Sequence, residues 1–170
     1  MVKKVFSGKL FTVTQGFLKK EGRPSLHETV RHPGSCAVLP LLDSKMVLLI
    51  RQFRPSVGKT LWEIPAGTLE VGETPTACAR RELEEETGYR CQTLLPIAQF
   101  YPSPGFCTEQ MSLFLAKDLR PLSQKLEQDE TIRVKSVSIL QALRLIRQGK
   151  IQDAKTLIAL FFLRSGLVKS

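Results

Sequence analysis

Short apolar or alternating runs recur through the first two thirds of the chain: KLFTV (9–13), CAVLPLL (36–42), MVLLIRQF (46–53), TLLPIAQFY (93–101) and MSLFLA (111–116). Runs of this length, several of them bounded by turn residues, predict β-strands. Two regions of helical spacing interrupt them. In the first, over about Pro75 to Thr87, Thr74 stands where a side-chain oxygen caps the opening turn. Pro75 there occupies the one helical position that tolerates a missing N–H, and Gly88 suits the left-handed residue that ends a helix. The second runs from about Ser138 to Leu163, where SILQALRLIRQGK and DAKTLIALFFLRSG each space their apolar residues as a helix does, with Gly149 between them and Asp153 as a cap. No internal repeat, low-complexity tract or linker appears. The pattern predicts one mixed α/β domain over residues 1–170, with helices packed on a sheet and residues 1–33 forming a small N-terminal sheet.

Composition narrows the class. The chain has 170 residues, 42% of them hydrophobic and 24% charged, which suits a single domain with a full core. No stretch approaches the roughly 18 to 20 apolar residues of a membrane span. The opening MVKKVFSGKLFTV lacks the apolar block of a secretion signal, so a cytoplasmic protein with no membrane partner is the expectation. Cys36, Cys78, Cys91 and Cys107 stand far apart with no Cys-x-x-Cys, which points to reduced thiols instead of a zinc site or disulfide framework. A formal net charge of +9 favours an anionic partner: nucleic acid, a membrane surface or a phosphate-bearing small molecule. The basic residues are spread without interleaved aromatics, which argues against nucleic acid.

Against that positive balance, the segment RELEEETG (81–88) crowds carboxylates into the first helix. At 100° per residue, Glu86 lies about 40° to one side of Glu82 and Glu85 about 60° to the other, so these three share a stripe, while Glu84 points about 160° away. Like charges at this spacing cost a few tenths of a kcal/mol in an isolated helix. A solvated surface helix could bear that, so the stripe alone leaves both a solvated face and a metal site open.

The surrounding frame decides between them. It reads Gly67, five residues, Glu73, seven residues, Arg81-Glu82-Leu83, one residue, Glu85-Glu86, one residue, Gly88 and Tyr89. Seven fixed identities, each with a background frequency under about a tenth, multiply to well below one in a million. The frame resembles the Nudix box of hydrolases that cleave a diphosphate linked to another moiety. The resemblance implies a Nudix-type α/β/α sandwich with a mixed sheet. It also implies a role for each position: Glu82, Glu86 and the backbone carbonyl of Ala66 as metal ligands, Glu85 close by as auxiliary or base, Arg81 orienting a carboxylate, Glu73 pairing with that arginine, and Gly67 letting the loop approach the metal. The chemistry suits these residue types, because a divalent cation neutralises the diphosphate and acidifies the attacking water. Hard oxygen donors select Mg²⁺ or Mn²⁺.

Outside the box, Pro104 follows Tyr89 by fifteen residues. With LLIRQFRPSVGKTLWEIPAG (48–67) and QGKIQDAKTLIAL (148–160), this resembles the ADP-ribose pyrophosphatase subgroup. That likeness puts Arg54 on the substrate diphosphate, and Ser103, Gly105 and Glu109 at the substrate with Pro104 shaping their loop. It also implies a homodimer with exchanged N-terminal strands. Phe11 and the residue at His27 would then sandwich the adenine; an arginine is usual at the second position, so His27 is a departure. Trp62 belongs either to the dimer core or to a pocket wall. A second departure falls in LEQDETIRV (126–134), where Gln128 stands in place of a glutamate base. An amide takes no proton at neutral pH, so the role passes first to Glu127, with Asp129, Glu85 or the metal's own acidifying effect as alternatives, and Glu130 matches a metal position in some relatives. The expected reaction is hydrolysis of ADP-ribose to AMP and ribose 5-phosphate. GDP-mannose or another nucleotide sugar is the alternative substrate. A non-catalytic Nudix-fold module binding nucleotide or nucleic acid is the alternative from another class, against which the complete set of box glutamates argues.

Overall fold

The computed structural model describes residues 2–124, 126 and 131–167. Its strands are β1 (Val2–Ser7), β2 (Thr12–Lys20), β3 (Arg23–Arg31), β4 (Ser35–Pro40), β5 (Met46–Arg54), β6 (Lys59–Glu63), β7 (Ala66–Thr68), β8 (Tyr89–Phe100), β9 (Met111–Pro121) and β10 (Ile132–Ser138). Its helices are α1 (Pro75–Thr87), α2 (Ile139–Arg147) and α3 (Ala154–Arg164). Three sheets result: β1-β2-β3, β10-β5-β6, and β7-β4-β9-β8, the last mixed because β4 and β9 run parallel.

The mixed sheet is covered on both faces, and this explains why CAVLPLL and MSLFLA read as continuous apolar runs. Alternate residues of β4 point to opposite sides: Cys36 and Val38 pack with Cys78, Ala79 and Leu83 of α1, while Ala37 and Leu39 join the larger core with Leu160 and Leu163 of α3. The layers are helix, sheets and helix, which is the architecture the sequence implied. The buried Cys36 and Cys78 thiols touch at 2.8 Å, and all four cysteines are free. That contact, and then burial, push the Cys78 thiol far up, so it stays protonated.

The helix signals resolve as local chemistry dictates. Thr74 accepts from the Ala77 amide, Pro75 opens α1, and Gly88 closes it at φ 70° with its N–H on the Glu84 carbonyl. Asp153 accepts from the Thr156 amide at the start of α3. Strands were less legible. β3 is largely exposed, and β10 mixes buried Ile132 and Val137 with exposed Arg133, Lys135 and Ser136; both are held as strands by pairing with β2 and β5. KLFTV is a strand only from Thr12; Lys9 and Leu10 belong to the turn before β2.

Candidate active site

β7 and α1 lie side by side, which brings Ala66 and Gly67 of that strand against the carboxylate stripe. Gly67 permits this approach. A Cβ there would stand 2.8 Å from Glu82 Cγ and overlap its carboxylate, so only the residue without a side chain fits beneath Glu82. Glu86 is 2% exposed and its Oε2 accepts from the Ala66 amide at 2.9 Å. The Glu82 side chain is 12% exposed and that of Glu85 37%, whereas Glu84 is exposed on the far side of the helix. The stripe therefore faces the loop, and the depth of burial ranks its members.

Arg81 organises them. Its Nε and Nη2 donate to the two oxygens of Glu73 at 2.9 and 3.0 Å, and its Nη1 bridges Glu82 Oε1 at 2.7 Å and Glu85 Oε2 at 3.1 Å. This fork holds the Glu73 carboxyl below the usual carboxylate range, and the acidic surroundings, led by the Glu73 hydrogen bond, push the Arg81 guanidinium up.

A cleft of about 550 Å³ opens over this surface, lined by Arg54, the segment 66–70, Arg81, Glu82 and Glu85, with Lys9 and Leu10. A smaller hollow of about 190 Å³ shares Arg54 and residues 66–68 and adds Ser35, Glu109, Met111 and Lys155. Together they form one groove with carboxylates at one end and cations in the middle. A separate hollow of about 530 Å³ beside α2 and α3 is lined by Ser44, Lys45, Leu140 and Arg164 among others, with no acidic group. It lacks any donor set for a hard cation.

Arg54 sits at the junction. Its Nε and Nη2 donate to Glu63 at 2.8 and 2.7 Å, while Glu63, 1% exposed, also accepts from Lys155 Nζ. Burial raises the Glu63 carboxyl, but the Arg54 hydrogen bonds and the Lys155 charge outweigh it and the net direction is downward. The Glu63 hydrogen bond in turn raises Arg54. Sequence reading missed Glu63 and Lys155. Each is a charge placed beside apolar neighbours, Glu63 after Leu61 and Trp62 and Lys155 ahead of Leu157 and Ile158, which was a weak signal, and their 92-residue separation concealed the pairing.

Among the other anticipated positions, Glu109 lines the groove and accepts from Ser35 Oγ at 2.7 Å. Ser103, Pro104 and Gly105 lie in the loop between β8 and β9, where the Ser103 carbonyl accepts from the Phe106 and Cys107 amides; the groove's lining does not include them. Phe11 packs near Phe6, with ring centroids 5.8 Å apart, next to the groove-lining Leu10. His27 sits on β3 opposite Gly16, in a shallow hollow of the N-terminal sheet away from the groove of its own chain. Trp62 is half-buried on β6 with the Arg51 guanidinium 5.3 Å from its ring. Glu127, Gln128, Asp129 and Glu130 lie outside the described residues.

The donor set fits a hard divalent cation: carboxylate oxygens and a backbone carbonyl, with no thiolate or imidazole among the described residues that line the groove. Among the described residues, no three acidic, histidine or cysteine side chains converge as a ready-made cage. A Mg²⁺-type site needs none, since one or two carboxylates with waters and substrate phosphates complete its shell.

Comparison with known proteins agrees with this geometry. The NUDIX domain family model matches residues 31–160. Over 94% of its length the chain is 42% identical to the ADP-ribose pyrophosphatase of Bacillus subtilis strain 168, covering 88% of that protein. It is 37% identical to a methanol dehydrogenase activator of Bacillus methanolicus, with the same two coverages. It is 35% identical to a GDP-mannose pyrophosphatase of Cronobacter sakazakii, over 89% of this chain and 85% of that one. A crystal structure of an ADP compounds hydrolase superposes with a TM-score of 0.85 at 23% identity, covering 98% of this chain and 91% of that one, which shows a shared fold.

Proposed function

The chain belongs to the NUDIX family of hydrolases, and from that premise we propose that it hydrolyses the diphosphate of ADP-ribose, releasing AMP and ribose 5-phosphate with Mg²⁺. The observation that carries this reading is the single groove that Arg54 lines together with Glu82 and Glu85 across the Ala66–Thr68 strand, with Glu86 buried beneath it on the Ala66 amide. The 42% identity to an ADP-ribose pyrophosphatase supports the choice of substrate.

In this assignment Glu82, Glu86 and the Ala66 carbonyl hold the cation, which neutralises diphosphate charge and acidifies the attacking water. Arg81 keeps Glu82 and Glu85 in the groove, and Gly67 leaves Glu82 the room to lie over β7. Arg54 binds the diphosphate through the donors that Glu63 leaves available. Glu85 is the auxiliary base and Glu127 the principal one, with Glu130 a further ligand. Glu109 contacts the sugar-phosphate half in the smaller hollow, and the loop of Ser103, Pro104 and Gly105 closes on it. The whole chain acts as one domain whose residues 1–33 exchange with a second copy. That arrangement is supported by the exposed apolar residues Val2, Phe6, Phe17, Leu18 and Leu26 on the N-terminal sheet. In such a dimer, Phe11 and His27 hold the adenine. A nucleotide substrate and four free cysteines fit the cytoplasm, and no described helix is long and apolar enough to cross a membrane.

The similarity to GDP-mannose pyrophosphatases supports a second reading in which another nucleotide sugar is preferred. A panel of nucleoside diphosphate sugars with Mg²⁺, assayed for nucleoside monophosphate release, separates the two. Turnover of GDP-mannose with ADP-ribose untouched would overturn the first.

A further inference from the structure

Three members of a buried charged cluster around Arg54, namely Glu63, Lys155 and Asp153, have no part in the reaction as assigned so far. Glu63 at the end of β6 receives Arg54 from β5 through two bonds and Lys155 from α3 through a third. Lys155 also donates to Asp153 Oδ1 at 2.9 Å, and Asp153 caps α3 through the Thr156 amide and hydroxyl. Two cations and two carboxylates balance, so the quartet satisfies its own charge.

A quartet serving only to fasten α3 to β6 has no need to line the groove. This one is open on one side: the Arg54 side chain is 35% exposed and lines both parts of the groove, and Lys155 lines the smaller part. A guanidinium carries five N–H donors in a rigid plane. Glu63 takes the Nε–H and one Nη2–H, leaving both donors of Nη1 and one of Nη2. An arginine whose plane is already held loses less freedom when a phosphate arrives. Lys155 engages Glu63 Oε2, the oxygen that also accepts from Nη2, and so keeps the carboxylate from following Arg54 if it swings.

We propose that Glu63 and Lys155 are positioning residues for the hydrolysis: joined as a clamp anchored on the first turn of α3, they hold Arg54 so that its remaining N–H donors meet the substrate diphosphate already oriented. The inference rests on the groove being the diphosphate site.

The test is a double-mutant cycle. Glu63→Gln, Lys155→Met, Arg54→Ala and each of the first two combined with Arg54→Ala are compared by three measurements. These are kcat/KM on whichever nucleoside diphosphate sugar the wild type cleaves fastest, calorimetric affinity for a methylene-bridged, non-hydrolysable ADP-ribose analogue, and Tm. Loss of one charge-assisted hydrogen bond predicts that each clamp variant weakens analogue binding and kcat/KM by roughly tenfold. In the Arg54→Ala background the same changes should add less than about twofold, because their target is gone. A merely structural role would lower Tm and multiply through the cycle. Multiplying losses, or analogue binding as in wild type for both single variants, overturns the proposal. If Glu63→Gln does not fold, the Lys155→Met arm decides alone. A wrong substrate shows in the wild type's own panel, not in the cycle; if the wild type cleaves no member of that panel, the cycle is read on binding of inorganic diphosphate.

Discussion

Replacing Gly67 with alanine separates the site from the fold. Gly67 is not among the glycines with positive φ, so a methyl group adds no backbone strain. Its neighbour is the obstacle: the new Cβ would stand 2.8 Å from Glu82 Cγ and occupy the space of the carboxylate. Glu82 must therefore swing away and give up its 2.7 Å pair with Arg81, between side chains 12% and 25% exposed. Such a partly solvated pair contributes about 0–1 kcal/mol. A less favoured rotamer adds roughly 1 kcal/mol. The total of about 1–2 kcal/mol lowers Tm by roughly 2–8 °C in a domain of this size. Activity should suffer far more, because moving a reacting-site group by about 1 Å costs on the order of a hundredfold. Differential scanning fluorimetry and AMP release from ADP-ribose at saturating Mg²⁺ measure the two effects. A variant retaining kcat/KM within about threefold of wild type would show that Glu82 need not lie over Gly67. A Tm collapse well beyond that range would show that the clash is not absorbed by one side chain.

Within the stripe, Glu86→Gln should cost at least about a hundredfold in kcat/KM with the fold intact, since an amide oxygen can still accept from the Ala66 N–H. Glu84→Gln on the exposed side of α1 should leave kcat/KM unchanged and stability within about 0.5 kcal/mol; equal losses in the two would return the stripe to a solvated face. Chelation with EDTA should abolish turnover and Mg²⁺ or Mn²⁺ restore it, an outcome contradicted by full activity in metal-free buffer. Glu63 and Glu73 both have native carboxyls below the ordinary 4.5. Their contribution to stability is complete above that value, shrinks as pH falls below it and is gone beneath the native values. Urea midpoints should therefore fall steeply only below about pH 4.5, and Glu73→Gln should flatten the slope; an unchanged slope would assign the acid lability elsewhere.

Much of the site was legible in sequence because its signals are local. Thr74, Pro75 and Gly88 each satisfy a backbone requirement within one turn of α1, and the 3.6-residue period alone places Glu82, Glu85 and Glu86 together and Glu84 apart. The frame from Gly67 to Gly88 then carried the family. Tertiary structure alone decided the rest, since a period of two says that a residue faces one side of a sheet but not which strand lies beside it. Only tertiary pairing held the largely exposed β3 as a strand, divided the strands of the main body into β10-β5-β6 and β7-β4-β9-β8, and set β4 parallel to β9. The N-terminal sheet put His27 in its own hollow, away from the groove of its chain. The Glu63 clamp is the sharpest case. Its members stand 9 and 92 residues from Glu63, too far along the chain for any local pattern to join them. A buried carboxylate is tolerable only when cations reach it, and which cations do so depends on where the chain returns, not on the residues beside it.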